Sequence, residues 1–418
     1  MDKKTILFCG NALSTEIFEV LHKKYTILMI SDFADDVGKK YTKEWIVANS
    51  KNPNEALNAA IFLSEKGYNF EAVLSLGWDS AISVSLIGEH FNLNVIPLFV
   101  AQNSTNKILR SRIFQKCNVP SPLFEVCKNL EDIKKAASII TYPIVLKPIN
   151  LSAARGTILV ENEAELNEAY NYSLGFLSES ENYIEDNRNE YLIVNQFIRG
   201  TEYSTEGLMI NSKFYPTGIS ERVFRYKESK PYFVEIGDVL PVKISKELQQ
   251  RCFKITEEAA LALSITDGIV KGDLVITPDE KVLVFEITPR LGGPRFGTEI
   301  IPLSNGTNIL EAALQQALYE EVDIKLLEPS SEKGVVTRYI FPETGRITNI
   351  EGLDKIKELP GYYDFKWLNY LPYKINDIVE APEKLCAGVG YFIATGKDRD
   401  EAIYNADVIE NTIKITTE

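Results

Sequence analysis

Short apolar runs alternate with amphipathic stretches through the first hundred residues. The apolar runs have the length of strands, and the stretches between them have the spacing of helices. The predicted strands are TILFCG (5–10), YTILMIS (25–31), EAVLSLG (71–77) and NVIPLFV (94–100), and the predicted helices are STEIFEVLHKK (14–24) and DSAISVSLIGEHF (79–91). This order predicts an open parallel sheet built from βαβ units. No G-x-G-x-x-G accompanies it, so the dinucleotide-binding fingerprint is absent.

The next stretch predicts a helix, then strands separated by a loop. NKILRSRIFQK (106–116) has a helical pattern that ends at Asn-Val-Pro-Ser-Pro, and a strand follows. YPIVLK (142–147) predicts another strand, which leads into a loop of small residues (152–156), a further strand and a helix. The charged stretch 178–191 predicts a solvated loop or a frayed helix.

From Tyr191 onward the pattern favours antiparallel strands. Within 268–289, Pro278-Asp279-Glu280 predicts a turn between two strands, which sets Asp273 and Glu286 on facing strands. A helix is predicted from Leu310 to about Glu321. From about Gly334 the chain has its own strands and a closing helix (400–413), which predicts a separate small lid or cap.

Composition and charge narrow the classes of function. The chain is 45% hydrophobic and 25% charged, as an ordinary globular protein is. Its formal charge of -14 argues against nucleic acid as a partner, but not against a nucleotide, which needs only a few local cations. The apolar run at the start is too short for a signal peptide, and no stretch reaches the length of a membrane span. Five dispersed cysteines without a C-x-x-C pair favour reduced thiols, so we expect a cytoplasmic protein.

The chemistry must depend on carboxylates, cations and a cofactor, because the chain has only two histidines, His22 and His90. Two carboxylates on neighbouring strands, Asp273 and Glu286, suit a hard cation such as Mg²⁺ or Mn²⁺, which is usually shared with substrate phosphates. Arg290 lies four residues further on and would neutralise charge on the same phosphates. A surface hairpin with a structural Glu–Arg ion pair is the alternative interpretation.

Two lysines are candidate phosphate contacts. Lys147 follows the apolar strand YPIVL and precedes the small-residue loop, whose backbone N–H groups could cover phosphates. Lys107 stands near the start of a predicted helix. The Walker A motif G-x-x-x-x-G-K-[ST] is absent, so this is not a P-loop.

The order of these motifs resembles the ATP-grasp superfamily from about Lys107 to Leu310. The motifs are NKILR, YPIVLKP with its small loop, NQFIRGTEYS (195–204), Asp273, and EITPR (286–290). The stretches beyond Arg290 are similar to the amino-acid-ligase branch. The resemblance implies an α/β (α+β) chain with the ATP-grasp fold, preceded by a Rossmann-like domain.

The resemblance also implies domain bounds and residue roles. The bounds are 1–103 for the Rossmann-like pre-ATP-grasp domain, 104–325 for the ATP-grasp domain with its loop subdomain at about 136–195, and 326–418 for a C-terminal α+β lid. The implied nucleotide contacts are Lys107 and Lys147 at the phosphates, Ser152, Ala153, Arg155 and Gly156 in the loop over them, Asn195, Gln196, Phe197 and Ile198 at the adenine hinge, and Glu202 at the ribose. The implied metal ligands are Asp273, Glu286 and Thr288, the catalytic residues are Arg290, Glu286 and Lys147, and the substrate contacts are Gly292, Gly293 and Arg295.

Three positions depart from the family pattern. Thr288 stands where an Asn commonly completes the metal site, which implies a weaker ligand or a water. Asn195-Gln196 replaces a frequent acidic pair at the hinge. The loop is Ser-Ala-Ala-Arg and not glycine-rich, which implies a stiffer closure.

The implied reaction is an ATP- and Mg²⁺-dependent ligation. The γ-phosphate would pass to a substrate carboxylate, and an amine would displace it from the acylphosphate to give an amide, ADP and phosphate. The expected partners are small carboxylates and amines, with an amino acid among them, and a homodimer is one possible assembly. The alternatives are a biotin carboxylase-like or carbamoyl phosphate synthase-like enzyme that uses bicarbonate, and an inactive nucleotide-binding protein, for which Thr288 is the feature in favour.

Overall fold

The computed structural model describes residues 3–11, 16–149, 151, 154–177, 191–224, 233–368, 372–382 and 388–418. Within these ranges the strands form four sheets, with helices packed against them. The predicted mixed α/β fold is therefore confirmed. Of the charged stretch 178–191, predicted as a solvated loop or a frayed helix, residues 178–190 lie outside the described residues.

The N-terminal region is a parallel four-stranded sheet in the order β3-β2-β1-β4. Its strands are β1 (Thr5–Cys9), β2 (Thr26–Ser31), β3 (Glu44–Val47) and β4 (Ala72–Leu74). Its helices are α1 (Ile17–Leu21), α2 (Asp36–Lys39), α3 (Pro53–Glu65), α4 (Ala81–Phe91) and α5 (Leu98–Thr105). The predicted parallel sheet is confirmed.

Two details of this region differ from the prediction. NVIPLFV is not a strand, because the chain turns at Pro97 and α5 begins at Leu98. The fourth strand is instead β3, whose short sequence Glu-Trp-Ile-Val gives no clear alternation of apolar and polar residues. A β-strand and the first turn of a helix after proline are both short apolar runs, so periodicity alone does not distinguish them.

A second, small sheet follows, in the order β5-β8-β6-β7. It comprises β5 (Phe124–Cys127), β6 (Ile144–Pro148), β7 (Ile158–Val160) and β8 (Leu192–Gln196). The helices α6 (Lys107–Lys116), α7 (Leu130–Ile140) and α8 (Leu166–Gly175) belong to this part of the chain. Residues 191–210 were predicted to enter one antiparallel sheet, but β8 lies between β5 and β6 in the small sheet, and only the next strand enters the large one.

The third sheet has eight antiparallel strands in the order β13-β12-β9-β10-β11-β14-β18-β16. The first five in sequence are β9 (Thr201–Ile210), β10 (Lys213–Phe224), β11 (Glu235–Leu240), β12 (Gly268–Ile276) and β13 (Val282–Thr288). The helices of this part are α9 (Lys246–Ala262), α10 (Ile301–Asn305) and α11 (Ile309–Ala317). α11 ends four residues before the predicted Glu321.

The C-terminal region extends this sheet. Its strands are β14 (Gly334–Ile340), β15 (Gly345–Glu351), β16 (Tyr362–Trp367), β17 (Ile378–Val379), β18 (Gly390–Gly396) and β19 (Lys414–Thr417), and its closing helix is α12 (Arg399–Thr412). β14 pairs with β11 through Val239–Val336 and Leu240–Val335, so the predicted cap is joined to the central sheet by hydrogen bonds. β15, β17 and β19 form a separate three-stranded sheet. The domain bounds at 103 and 325 stay predictions.

One core cluster joins the N-terminal sheet to the large sheet. It contains Phe8 and Leu74 from the first, Leu208 and Ile269 from the second, and Leu314 from α11. The carboxyl ends of β1 and β4 therefore lie beside the β12–β13 hairpin, where the candidate residues converge. Among the described residues no helix combines the length and apolarity needed to cross a membrane.

Candidate active site

Asp273 and Glu286 lie on the facing strands β12 and β13, as predicted, and the register places them directly opposite each other. Their pairing depends on a bulge. Leu274 pairs with Val284, so a regular ladder would place Asp273 opposite Phe285, and the extra residue Phe285 moves Glu286 into that position. Bulges of this kind re-aim side chains near functional sites. The bulge therefore brings the two carboxylates to one face of the hairpin.

Asp273 is a buried carboxylate held by its neighbours. Ser204 donates to its Oδ1 at 2.6 Å, and the Lys271 ammonium lies 2.6 Å from the same oxygen. Burial raises the pKa of Asp273, but Lys271, Arg222 and these hydrogen bonds outweigh that effect and hold the pKa far below its usual value. The group is therefore an anion throughout the physiological range.

Glu286 is also kept ionised, in a more open position. Its side chain is 40% exposed, and Arg110 Nη1 lies 3.1 Å from its Oε1. Burial raises the pKa of Glu286, while Arg110 and Lys107 lower it below the usual value. Arg110 is itself buried, and its Nη1 also donates to the Ser104 carbonyl at 2.7 Å.

The donor set of this hairpin fits Mg²⁺ or Mn²⁺. Two anionic carboxylates face each other, and Thr288 stands two residues from Glu286 at the end of β13. In the described part of the chain, no three side chains of His, Cys, Asp or Glu form a metal cluster. Mg²⁺ is commonly held by one or two carboxylates together with phosphates and waters, so two carboxylates suffice for a shared site. The metal role of Asp273, Glu286 and Thr288 stays a prediction.

Lys107 and Lys147 lie close to this pair. Lys107 Nζ donates to the carbonyls of Ile149, at 3.1 Å, and Leu151. Burial lowers the pKa of Lys107 to about 8, and burial together with Lys107 and Arg110 lowers the pKa of Lys147 to about 8. The two ammonium groups thus belong to one cationic cluster that faces Glu286.

The small-residue loop is described only in part. Ser152 and Ala153 lie outside the described residues. Ala154 and Gly156 have positive φ angles of 55° and 67°, and Thr157 N–H donates to the Ala154 carbonyl at 3.0 Å. Arg155 is within this turn. The roles of these residues over phosphates stay predictions.

The predicted adenine hinge connects the small sheet to the large one. Asn195 and Gln196 end β8, and Phe197 and Ile198 follow it. Gln196 N–H donates to the Leu123 carbonyl at 2.8 Å and Phe197 N–H to the Pro143 carbonyl at 3.3 Å, so this segment is fixed by backbone hydrogen bonds. The adenine role stays a prediction.

Arg222 is a residue of the site that the sequence did not single out. It lies on β10, with Nη1 at 3.3 Å from Glu202 and 3.9 Å from Asp273, and it also pairs with Glu235. Burial disfavours its charge, but the three carboxylates raise the pKa of Arg222 well above its usual value. Arg222 therefore links the predicted ribose contact to the predicted metal ligand. Its only signal in the sequence is a cation within an otherwise strand-like run.

Arg290 is held by the N-terminal region. Its Nε and Nη2 donate to Asp79 Oδ1 at 2.9 and 2.6 Å, and its Nη1 donates to the Leu291 carbonyl at 2.7 Å. Asp79 follows β4, and Arg290 holds the pKa of Asp79 below its usual value. The sequence missed Asp79, because a contact across 211 residues leaves no local pattern.

The predicted substrate contacts have partners within the protein. A side chain at Gly293 would lie 2.5 Å from the Gly77 carbonyl oxygen, so this glycine permits a close approach of two loops. Arg295 is buried, pairs with Glu299, and lies 2.7 Å from Asp364 Oδ2. The substrate roles of Gly292, Gly293 and Arg295 stay predictions.

Comparisons with known proteins agree with this geometry. Residues 140–298 match the ATP-grasp domain, and residues 338–418 match the L-amino acid ligase C-terminal domain 2. The formate-dependent phosphoribosylglycinamide formyltransferase of Saccharolobus solfataricus is 20% identical over 322 residues, which are 75% of each chain. The L-arginine-specific L-amino acid ligase of Bacillus subtilis is 20% identical over 312 residues, which are 74% of this chain and 71% of the relative.

A solved structure has the same architecture over the full length. The L-amino acid ligase from Bacillus licheniformis superposes with a TM-score of 0.82 at 20% sequence identity, covering 100% of this chain and 99% of that one. The predicted ATP-grasp fold is therefore confirmed, and the two domain matches confirm the predicted kinship with ATP-dependent ligases. The chain carries an ATP-grasp domain at residues 140–298, followed by an L-amino acid ligase C-terminal domain at residues 338–418.

Proposed function

We propose that this protein is a carboxylate–amine ligase that uses ATP and Mg²⁺, with an amino acid as one substrate. The observation that carries the proposal is the pair of ionised carboxylates, Asp273 and Glu286, opposite each other and surrounded by cations. That arrangement suits a metal-bound triphosphate, whose negative charge both the metal and the cations would share. The two domain matches support the same class of reaction.

The chemistry needs no protein nucleophile. A substrate carboxylate oxygen forms a bond to the γ-phosphorus, and the bond from that phosphorus to the β,γ-bridging oxygen breaks, so that ADP leaves. An amine nitrogen then forms a bond to the carbonyl carbon of the acylphosphate, loses a proton to solvent, and expels phosphate. Bound Mg²⁺ would neutralise phosphate charge. The protein contributes orientation and electrostatic stabilisation.

Each predicted residue has a part in this proposal. Asp273 and Glu286, with Thr288 beside them, hold the metal. Lys107 and Lys147 bind the phosphates, Glu202 binds the ribose, and 195–198 bind the adenine. Arg290 stabilises charge on the transferring phosphoryl group, because its guanidinium is fixed by Asp79 and cannot lose its charge.

The test is a nucleotide assay with pooled substrates. Purified protein is incubated with ATP, Mg²⁺, pooled amino acids and small carboxylic acids, and nucleotides are separated by chromatography. We expect ADP that depends on both a carboxylate and an amine. Glu286→Gln should lower ADP formation by about 10³-fold or more, because it removes an anionic metal ligand. Glu258→Gln, on the exposed side of α9, is the matched control and should leave the rate unchanged.

Three outcomes would contradict the proposal. An AMP peak that matches product formation would indicate adenylation in place of phosphoryl transfer to the carboxylate. ADP that forms with bicarbonate alone would favour a carboxylase-like reaction. ATP binding without turnover for any pool would favour a nucleotide-binding protein without catalysis.

A further inference from the structure

A buried carboxyl group lies beneath the loop that follows Arg290 and has no part in the site described above. Glu206, in the middle of β9, is 0% exposed. Its Oε2 accepts a hydrogen bond from the Gly292 N–H. Its Oε1 has no hydrogen-bond partner in the part of the chain that the structure describes. Burying such a group is costly, so its presence here requires an explanation.

Glu206 and Arg290 form hydrogen bonds with the N–H and the carbonyl of the same peptide unit, Leu291–Gly292. The carbonyl of Leu291 accepts from Arg290 Nη1 at 2.7 Å, and the N–H of the same peptide unit, which belongs to Gly292, donates to Glu206. A peptide unit is planar and rigid, so fixing its N–H also fixes the direction of its carbonyl. A donor bonded to an anion also polarises the unit and strengthens its carbonyl as an acceptor.

Two glycines leave space for this carboxyl group. A Cβ at Gly297 would lie 2.0 Å from Glu206 Oε1, and a Cβ at Gly292 would lie 3.1 Å from Oε2. Any side chain at position 297 would therefore displace the carboxyl group. The loop 291–297 is thus shaped around Glu206, and glycine at these positions is explained without a bound ligand.

Burial and the neighbouring groups have opposite effects on the pKa of Glu206. Burial raises the pKa of Glu206 to about 7, while the Gly292 N–H, Lys271 and Arg290 act in the opposite direction. Lys271 lies across from it on β12, and Gly218 lies across from it on β10. The group is therefore near the point at which a modest change in its surroundings alters its charge.

We propose that Glu206 is a positioning residue for Arg290, which it directs by holding the Leu291–Gly292 peptide in one orientation. Without the carboxylate the Leu291 carbonyl loses its fixed direction, and the guanidinium loses one of its restraints. The proposal rests on the catalytic role proposed for Arg290. It differs from simple filling of space, because it requires a charged acceptor and not only a side chain of this volume.

The test compares Glu206→Gln with Thr205→Val in the full-length protein. Glutamine keeps the shape of the side chain and removes its charge. Thr205 is the adjacent residue on the opposite face of β9, where it is equally buried and bonds Thr256, so its substitution is a matched control. One measurement is hydrogen–deuterium exchange of the amides in 290–297, and the other is kcat and KM for ATP in the assay described above. Both are made at pH 8, above the pKa of Glu206, so that the wild-type side chain is ionised.

We expect Glu206→Gln to raise amide exchange in 290–297 by about tenfold or more, and to lower kcat by about ten- to a hundredfold with KM for ATP unchanged. Thr205→Val should change neither quantity. If Glu206→Gln does not fold, Glu206→Asp, which keeps the charge but shortens the side chain, should show the same changes in smaller measure. Wild-type exchange and wild-type kcat in the variant would show that Glu206 only fills space. If the wild-type protein turns over no substrate, the proposed function fails, and the exchange measurement alone then decides the role of Glu206.

Discussion

Lys107 and Lys147 carry the cationic side of the candidate nucleotide site, and burial makes their charge sensitive to pH. The pKa of each is lowered to about 8, whereas an exposed lysine stays charged to much higher pH. Below pH 8 both ammonium groups are charged and available to phosphate. Above pH 8 the neutral amine predominates at each lysine. Each lysine must then take up a proton before it can bind a phosphate as an ammonium group.

We therefore predict that affinity for ATP falls as the pH rises from 7 to 9.5. Loss of one charge-assisted hydrogen bond should weaken binding by about tenfold or more. In Lys147→Arg the guanidinium stays charged, so the decline should be smaller than in the wild type. Calorimetric titration with ATP across this range measures both.

Lys254→Arg, an exposed exchange on α9, controls for the change of side chain. An identical decline in the wild type and Lys147→Arg would show that Lys147 does not contact the phosphates.

At the scale of the residue, the sequence predicted those candidate residues whose signal is local. Lys147 at the end of an apolar strand, and Glu286 and Arg290 in a short motif, stand out because charge there interrupts a hydrophobic pattern. Asp79 and Arg222 do not stand out in the sequence. Each belongs to the site because of a contact with a residue that is distant along the chain: Arg290 for Asp79 and Asp273 for Arg222. The fold brings these partners together, and no local pattern encodes the contact.

At the scale of elements, the β12–β13 hairpin shows what periodicity can and cannot predict. Alternation and the turn at 278–280 were enough to predict two facing strands. The register was not predictable, because the bulge at Phe285 adds one residue and reverses which side chains share a face. Similarly, β8 has an ordinary strand pattern, and its placement in the small sheet depends on pairing with β5 and β6.

The ion pair between Arg295, in the loop before α10, and Asp364 on β16 predicts that substitution of Asp364 lowers the stability of the fold. Arg295 has a side chain that is 5% exposed, and among the described residues its carboxylate partners are Glu299 and Asp364, the latter on β16. Asp364→Asn leaves part of a buried charge uncompensated. We expect the free energy of unfolding to fall by about 2 kcal/mol, because removing one partner of a buried pair is costly.

Urea unfolding measures this difference, and Asp354→Asn is the control, since the Asp354 side chain is 99% exposed. The control should change the free energy of unfolding by less than about 0.5 kcal/mol. Equal stability of the two variants would indicate that Glu299 alone compensates Arg295.

At the scale of the whole molecule, the site is assembled from regions that are far apart in sequence. Asp79 comes from the loop after β4 in the N-terminal region, Lys147 from the small sheet, and Asp273 from the large sheet. Asp364, in the C-terminal region, contacts Arg295 in the loop after Arg290. The order of motifs along the chain was sufficient to predict the fold and the presence of an ATP-grasp domain. It did not show that the C-terminal region shares a continuous sheet with the centre, because strand patterns do not specify their partners.

The Asp79–Arg290 pair predicts a non-additive loss of activity. Arg290→Ala should lower the rate of ADP formation by about 10³-fold, as expected for an arginine that carries transition-state charge. Asp79→Asn should lower it by about ten- to a hundredfold, because the guanidinium keeps its charge but loses its ionic acceptor. The double variant should be no slower than Arg290→Ala, since Asp79 acts through Arg290.

Steady-state rates of the three variants form the cycle, and Asp36→Asn on the exposed end of α2 is the control. Strictly additive losses would mean that Asp79 acts on the substrate or nucleotide independently of Arg290.

The hydrogen bonds of Lys107 affect how mutagenesis at this position should be interpreted. Its ammonium donates hydrogen bonds to the carbonyls of Ile149 and Leu151. A phosphate that binds Lys107 must therefore compete with the backbone that follows β6, and measured ATP affinity includes the free energy of breaking those bonds. A substitution such as Lys107→Met would remove both the hydrogen bonds to the backbone and the phosphate contact. A small net change in ATP affinity would therefore not show that Lys107 makes no contact with the phosphates.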